Sequence, residues 1–273
     1  MIGLKSFIKK MENKQSVENK QSAELWNEYY KKEKINPRVG FFSSYDIFLH
    51  DRITAKYLPF NKKEKKEVKI CEIGSGDGKL LKKIADNFNY EPFGVEFAKG
   101  PIRQAKERGI NVIEGDVFNK ELLEKYKEHF DVVYSYGFIE HIMPPEKAVE
   151  VHLRLLKKGG YFFIQIPRLK GFNYLKFKIF RPDLIPLHNL DIMEEEQLRR
   201  LCKKENIKEL FCKNYGTFKL RIPMAKKNIR WYILKFICSL EYILNPICRL
   251  VFKDKGFETK LFSPCVIFIG KKT

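Results

Sequence analysis

The stretch VKICEIGSGDGKLLKKIA (residues 68–85) joins an apolar run to a helix-like run through a turn that contains Gly74, Gly76 and Gly78. A strand, a glycine turn and a helix in this order begin a βαβ unit, in which backbone amides at the helix N-terminus are free to bind a ligand. The sequence therefore predicts a ligand site at this turn. Glu72, just ahead of the glycines, places an acidic group beside that ligand.

Apolar runs and helical patterns alternate after this stretch. Strands are predicted for VKICEIG, PFGVEFA, NVIEGD, DVVYSYG and YFFIQIP, and helices for LLKKIADNF, GPIRQAKERG, KELLEKYKEH and PEKAVEVHLRLLKK. A further helix, MEEEQLRRLCKKEN, precedes two more strands, IKELFCKNY and FSPCVIFIGKK. This alternation predicts an α/β fold with a doubly wound sheet of seven mostly parallel strands.

The domain is expected to begin near residue 23. Residues 1–22 combine a short amphipathic segment with a polar linker that repeats the block ENKQS, and an N-terminal helical extension is predicted from AELWNEYYKK and SSYDIFLHDRITAKYLP. The domain at 23–273 is expected to hold core motifs at 68–215, a lid segment at 168–192, a helical insertion at about 219–260 and a last strand at 263–271.

Composition limits the class of protein. The chain has 273 residues, 44% of them hydrophobic, which excludes a fibrous or fully disordered protein and fits one decorated domain. A net charge of +19 favours anionic partners such as acidic lipid, phosphorylated metabolites or nucleic acid, or else a lysine-rich solubilising surface. Six scattered cysteines without a C-x-x-C pair predict reduced thiols, and the lysine-broken N-terminus lacks a secretory signal, so a cytoplasmic location is expected.

The residues around the glycine turn discriminate between cofactors. A dinucleotide site requires G-x-G-x-x-G, but Lys79 stands where the third glycine should be. A carboxylate at Glu72 would repel a pyrophosphate, whereas it would attract a ligand with an ammonium and a sulfonium group. The motif E-I-G-S-G-D-G resembles the first motif of class I S-adenosylmethionine-dependent methyltransferases, and the similarity continues in order over about residues 68–215. This resemblance, to quinone O-methyltransferase-like (type 11/12) members, implies a methyltransferase that uses S-adenosyl-L-methionine.

The resemblance also implies roles for residues at the strand ends. Glu96 would accept both ribose hydroxyls, and Asp116, with the backbone amide of Val117, would contact the adenine. The alternatives are a surface glutamate that caps the next helix and an aspartate that forms a helix N-cap. Tyr134 and Ser135 would line the methionine end. The expected cofactor-binding set is Glu72, Gly74, Ser75, Gly76, Gly78, Glu96, Asp116, Val117, Tyr134 and Ser135.

Two histidines are candidates for a catalytic base. His141 lies in YSYGFIEHI after the fourth strand, and the Glu140-His141 pair resembles one in quinone-type O-methyltransferases, where acid and imidazole groups can hold a divalent ion or a hydroxyl. The alternative for His141 is a helix-start residue bonded to backbone. His188, in the lid segment, is the second candidate base. The sequence by itself assigns no metal ligands.

The acceptor is the least determined part of the prediction. The segment RLKGFNYLKFKIFRPD alternates aromatic and basic residues, and NIRWYILKFICSLEYIL is too short and charged to span a membrane yet too apolar for an exposed helix, with Pro246 expected to end it. Its own domain, a second subunit in a homodimer, or an anionic membrane surface would have to cover it. We expect an oxygen of a small-molecule or lipid-linked acceptor, with peripheral attachment to the inner face of the membrane as one location.

Two other functions stay open. A non-catalytic S-adenosylmethionine-binding scaffold protein would keep the same cofactor residues. An RNA methyltransferase ranks third, because the fourth motif is YSYGFIEH rather than the N/D-P-P-Y type of many base methyltransferases, and the Pro264-Cys265 pair begins the last strand instead of standing in the cleft. Nucleic acid is therefore a less favoured partner than a small molecule or lipid.

Overall fold

The helices and strands come from a computed structural model, which describes residues 44–63, 67–217, 219–222 and 229–273. The predicted amphipathic segment and linker at 1–22, and the predicted helix AELWNEYYKK, lie outside the described residues. The second predicted helix of the N-terminal extension is present as α1, Tyr45–Tyr57.

One seven-stranded sheet has the order β3-β2-β1-β4-β5-β7-β6, in which β7 runs antiparallel to both of its neighbours and the other pairs are parallel. Each strand falls on a predicted run, so the doubly wound, mostly parallel sheet is confirmed. The strands are β1 Lys69–Ile73, β2 Glu91–Glu96, β3 Asn111–Glu114, β4 Phe130–Tyr136, β5 Leu156–Pro167, β6 Ile207–Tyr215 and β7 Cys265–Lys272.

Helices connect the strands and cover both faces of the sheet. After α1 they are α2 Lys79–Phe88, α3 Lys99–Glu107, α4 Lys120–Lys125, α5 Pro145–Leu155, α6 Gly171–Phe180, α7 Glu195–Cys202, α8 Ile229–Ser239 and α9 Glu241–Phe252. Two short 3₁₀ segments, Ile139–His141 and Pro182–Leu187, follow β4 and α6.

Two predicted boundaries were wrong. The helix read over PEKAVEVHLRLLKK ends at Leu155, because Leu156 is fully buried and already pairs with Phe130 as the first residue of β5. Pro246 does not end the insertion helix, since α9 runs through it to Phe252. The proline lies only six residues into α9, so the single intrahelical bond that it removes falls close to the helix start. The break in the insertion lies instead at Leu240, between α8 and α9.

The core consists of two apolar layers separated by the sheet. Alternate strand residues point to opposite faces, so that Phe163 packs with Leu49 and Leu81 beneath α1 and α2, while Phe162 packs with Leu198 beneath α7 on the other face. Burial of each such side chain contributes about 1.5–3 kcal/mol. These layers hold the carboxyl ends of the parallel strands at one rigid edge, which is where ligands bind in open α/β sheets.

Candidate active site

The glycine turn after β1 has a backbone that other residues would not adopt. Gly74, Gly76 and Gly78 have φ values of +69°, +52° and +71°. A Cβ at Gly74 would lie 2.8 Å from Cδ2 of Phe138, and one at Gly78 would lie 2.9 Å from Cγ1 of Ile110. The turn is therefore fixed by the left-handed backbone and by close packing, and it opens directly into α2.

Glu96, the last residue of β2, is buried and hydrogen-bonded to backbone on two sides. Its Oε2 accepts from the amide of Gly76 at 2.9 Å, and its Oε1 accepts from the amides of Phe97 and Ala98 at 2.8 Å each. Only 6% of its surface is exposed, which contradicts the alternative of a surface glutamate. A carboxylate has about four acceptor positions, so one remains for a ligand after these three bonds.

Glu72 lies next to Tyr134 in the β1–β4 register and is 4% exposed. Its Oε2 has no hydrogen-bond partner among the described residues. Burial raises the pKa of the Glu72 carboxyl well above its ordinary value; the Tyr134 hydroxyl opposes this rise, and the charges of Asp77 and Glu96 add to it. The carboxyl is thus protonated far more readily than a free one while no cation is close.

Further buried polar atoms at this edge lack partners among the described residues, namely Ser75 Oγ and Ser135 Oγ. Uncompensated buried polar groups are costly, and a polar ligand would satisfy them. Together with the free acceptor position of Glu96, they fit a ligand that presents ammonium and hydroxyl donors. The chain's own residues are therefore compatible with S-adenosylmethionine.

Asp116 follows β3 by two residues and does not cap the next helix. Its Oδ1 accepts from the amide of Phe118 at 2.9 Å, whereas Asn119 is the N-cap of α4 and accepts from two amides of that helix. The helix-cap alternative for Asp116 was therefore wrong. Val117 is buried, and the ring of Phe118 stacks on Phe138 with centroids 6.5 Å apart. This loop thus reaches the same Phe138 that packs against the glycine turn.

Glu140, His141 and His188 form one cluster beyond the end of β4. One carboxylate oxygen and one nitrogen from each imidazole all lie within 4.8 Å of one another. The Nδ1 of His141 is 2.7 Å from the carbonyl of Leu187, and the Nδ1 of His188 is 2.7 Å from the carbonyl of Leu184. Because a carbonyl can only accept, each Nδ1 carries the proton and each Nε2 keeps its lone pair. The fold thus places His141 and His188, which the sequence analysis gave as two separate candidate bases, in one cluster.

Burial controls the charge of this cluster. It lowers the pKa of His141 to about 4, with a further contribution from His188, and it also lowers the pKa of His188. Burial raises the pKa of the Glu140 carboxyl to about 8. Both imidazoles are neutral near pH 7, and Glu140 Oε2 has no hydrogen-bond partner among the described residues. Two neutral imidazoles and a carboxyl can accept a proton from a hydroxyl or hold a divalent cation.

A buried ion pair lies nearby and was not anticipated from the sequence. Lys219 Nζ is 3.1 Å from Oδ2 of Asp46, which is 3% exposed, and the ring of His50 lies 5.8 Å from that of Tyr136 at the end of β4. Residues from α1, β4 and the start of the insertion thus meet at the same edge of the sheet. These residues lie far apart along the chain, so no local sequence pattern indicates that the fold brings them together.

The strand order, the glycine turn after β1 and the acidic residues after β2 and β3 define a class I S-adenosylmethionine-dependent methyltransferase fold. A family model described as a methyltransferase domain matches residues 45–216, more than half of the chain. The chain therefore belongs to this methyltransferase family, whose cofactor is S-adenosyl-L-methionine.

Individual relatives are more distant. A ubiquinone biosynthesis O-methyltransferase of Pseudomonas fluorescens (strain Pf0-1) is 28% identical over 99 residues, which cover 35% of this chain and 42% of the relative. The chain thus matches less than half the length of this curated relative. Within the described residues, no helix is both long and apolar enough to cross a membrane.

Solved structures agree with the fold. A methyltransferase from Thermotoga maritima has a TM-score of 0.52 at 17% identity, with 94% of this chain and 96% of that chain covered. A geranyl diphosphate C-methyltransferase from Streptomyces coelicolor A3(2), in complex with Mg²⁺, geranyl diphosphate and S-adenosyl-L-homocysteine, has a TM-score of 0.52 at 10% identity, with 84% and 78% covered. At these identities the likeness concerns the fold alone.

Proposed function

We propose that the protein transfers a methyl group from S-adenosylmethionine to an oxygen of a small-molecule or lipid-linked acceptor. The observation that carries this proposal is the Glu140–His141–His188 cluster, which begins two residues after Phe138 of the loop that follows β4. Phe138 packs against Gly74, and a Cβ at Gly137 would lie 3.5 Å from Oε1 of Glu140. The similarity to an O-methyltransferase over part of the chain supports oxygen as the methylated atom.

In this proposal the cofactor spans the carboxyl edge of β1 to β4. The glycine turn gives backbone amides, and the fourth acceptor position of Glu96 receives one ribose hydroxyl. Asp116 and Val117 contact the adenine between β3 and α4. Glu72, Ser75, Tyr134 and Ser135 surround the methionine end, where the unpartnered oxygen of Glu72 accepts from the ammonium group.

Methyl transfer is an in-line displacement at a carbon that the sulfonium has already activated, so the protein mainly aligns the nucleophile and removes its proton. His141 or His188 would accept that proton at Nε2, because each Nδ1 donates to a backbone carbonyl. A divalent ion held by Glu140, His141 and His188 would lower the pKa of the acceptor hydroxyl. In either form the cluster prepares an oxygen nucleophile at neutral pH.

A scaffold protein that binds the cofactor without turnover is the second candidate, since the cofactor residues alone serve both functions equally. The proton-accepting cluster favours catalysis, because cofactor binding has no use for it. An RNA methyltransferase is the third candidate, because the fourth motif is YSYGFIEH and not the N/D-P-P-Y type of many base methyltransferases. We further propose that the reaction takes place at a membrane surface, which would then cover the apolar insertion. The competing proposal is a homodimer in which the second subunit covers the insertion.

Methyl transfer is tested with S-adenosylmethionine labelled with tritium in its methyl group and a lysate separated into lipid, small-molecule, RNA and protein pools. Label in the lipid or small-molecule pool supports the proposal, and release of that label as methyl iodide by hot hydriodic acid, under conditions that leave N-methyl and C-methyl groups intact, identifies an ether oxygen as the acceptor. Label in the RNA pool would favour the third candidate. Cofactor binding without label in any pool would favour the scaffold, and repeating the assay with a chelator shows whether a divalent ion is required.

A further inference from the structure

The helix α6 buries two polar residues beside Phe177, which packs against the core, and exposes apolar residues on its outer side. Asn173 and Lys176 are 3% and 4% exposed, while Tyr174, Leu175 and Ile179 on the other side are between 38% and 52% exposed. A surface helix of a globular protein normally shows the reverse arrangement. Contact with an apolar environment would therefore stabilise the exposed side chains on the outer side of α6.

The insertion helix α9 repeats this arrangement, and α8 shares its exposed apolar side although it buries the apolar Leu234. In α9 the buried residues include Glu241 and Asn245, whereas Leu250 is 70% exposed; in α8, Phe236 is also 70% exposed. The other large apolar residues exposed on these two helices are Ile229, Tyr232, Ile233, Leu240, Tyr242, Ile243, Ile247 and Val251. Together they expose on the order of 1,000 Å² of mainly apolar side chain, well above the few hundred Å² usual for the largest patch of a monomer.

Hydrogen bonds fix this orientation from the inside. Glu241 accepts from the amides of Leu220 and Arg221, at 2.6 and 3.2 Å, and from Nε of Arg221 at 2.5 Å. Lys176 donates to Oδ1 of Asn173 at 3.1 Å and to the carbonyl of Lys219. The inner sides of α6 and α9 therefore converge on the single segment 219–221. Rotating either helix to hide its apolar side would leave these polar groups without partners.

The charges near this apolar surface favour lipid over a protein partner. Lys178 is exposed on α6 and Lys235 on α8, and the exposed run Lys253, Asp254 and Lys255 directly follows α9; the only acidic residue within the three helices is the buried Glu241. Lysine is depleted in protein–protein interfaces, whereas lysine beside apolar and aromatic residues is typical of anionic membrane surfaces. Trp231 and Tyr232 pack edge to face, with centroids 4.9 Å apart, in the first turn of α8. Indole and phenol rings concentrate at the membrane–water interface.

We propose that the outer sides of α6, α8 and α9 form a docking surface for an anionic lipid bilayer. The apolar side chains enter the headgroup region, and the lysines bind lipid phosphates. This inference deepens the proposed function by naming the partner of the insertion. The segment Pro182–Leu187 follows α6 and leads directly to His188, so docking would place the catalytic cluster beside the bilayer, where a lipid-linked acceptor is found.

Flotation of the full chain on vesicles tests this inference without cofactor or acceptor, so its failure leaves methyl transfer untouched. The protein is expected to float with vesicles of phosphatidylglycerol and phosphatidylcholine, less with phosphatidylcholine alone, and less at high salt. The double variant Phe236→Glu, Leu250→Glu should lose at least tenfold in binding. Phe60→Glu is the matched control, because Phe60 is 58% exposed and lies outside the three helices, next to Asn61, whose amide donates to the carbonyl of Phe88 at the end of α2; it should float like the unaltered chain.

Unchanged binding of S-adenosylhomocysteine shows that the variants fold. Lys235→Gln and Lys253→Gln should each lower binding to anionic vesicles by about fivefold, the factor expected for one basic residue at such a surface. Equal flotation of the double variant and the unaltered chain would overturn the inference. So would a stable dimer that the double variant converts to monomer, or a monomer that does not bind vesicles.

Discussion

Glu96→Gln separates the two tasks that the geometry gives to this carboxylate. The amide oxygen of the glutamine can occupy the position of Oε1 and keep both bonds from Phe97 and Ala98. Its NH₂ group then replaces Oε2 and faces the amide of Gly76, so a donor meets a donor. The substitution therefore removes one charge-assisted bond to the glycine turn, and it also removes the free acceptor position that we assign to the ribose.

The expected magnitude follows from these bonds. A hydrogen bond to a charged group contributes about 1.5–3 kcal/mol, and loss of the ribose acceptor and of the turn's anchor should together weaken S-adenosylmethionine by about 1–3 kcal/mol. This corresponds to a roughly 5- to 150-fold rise in Kd, measured by titration calorimetry. Thermal unfolding without ligand should show a smaller loss, of about 1 kcal/mol, because two of the three backbone bonds remain.

Glu114→Gln is the matched control. Glu114 stands directly opposite Glu96 in the β2–β3 register, but its side chain is exposed and pairs with Lys106 at the surface. An exposed pair of this kind contributes about 0–1 kcal/mol, so the control should change neither Kd nor unfolding appreciably. A folded Glu96→Gln protein that binds S-adenosylmethionine within twofold of the unaltered chain would refute the assignment of Glu96.

Three further predictions concern protons. Because burial raises the pKa of Glu72, binding of cationic S-adenosylmethionine should release a proton from this carboxyl, and binding should tighten as pH rises. Calorimetry in two buffers should detect this proton release, and Glu72→Gln should abolish it. His141→Ala should lower methyl transfer at least 100-fold without changing cofactor affinity, whereas His129→Ala, at the opposite edge of the sheet, should leave it unchanged. Burial lowers the pKa of Lys176 to about 8, so between pH 8 and 10 the unfolded chain binds more protons than the folded chain, and the free energy of unfolding rises with pH. In urea unfolding, Lys176→Met should show a rise that is smaller by up to about 3 kcal/mol.

Hydrophobic periodicity predicted the sheet well because the strands β1, β4 and β7 are nearly continuous buried runs and helical patterns of period 3.6 separate most of the strands. It failed where a long-range contact overrules local preference. Leu156 joins β5 because it pairs with Phe130, and α9 passes through Pro246 although a proline normally ends a helix. The outward apolar side of α6 also follows from distant bonds, since Lys176 is held inside by the carbonyl of Lys219.

The candidate site was predictable only in part, for a similar reason. The glycine turn is a local pattern with a direct backbone meaning, so its residues could be named from the sequence. The cluster of Glu140, His141 and His188 requires the segment 168–192 to fold back onto the end of β4, where the amide of Asn189 donates to the carbonyl of Glu140 at 2.7 Å. Neither the distance between the imidazoles nor the proton on each Nδ1 can be obtained from spacing along the chain.

The structure also changes the physical account of cofactor choice. A permanently ionised Glu72 would repel phosphate groups, but the burial of this carboxyl raises its pKa and favours the neutral form in the free protein. A coenzyme with a pyrophosphate carries no positive charge that would lower this pKa, so it would not favour the ionised form of the carboxyl. A ligand with an ammonium and a sulfonium group lowers the same pKa, so that the carboxyl ionises and pairs with the incoming charge. With Glu72 at the ammonium group as proposed, selectivity for S-adenosylmethionine would arise because a cation favours the ionised form of Glu72, rather than because a fixed anion excludes phosphate.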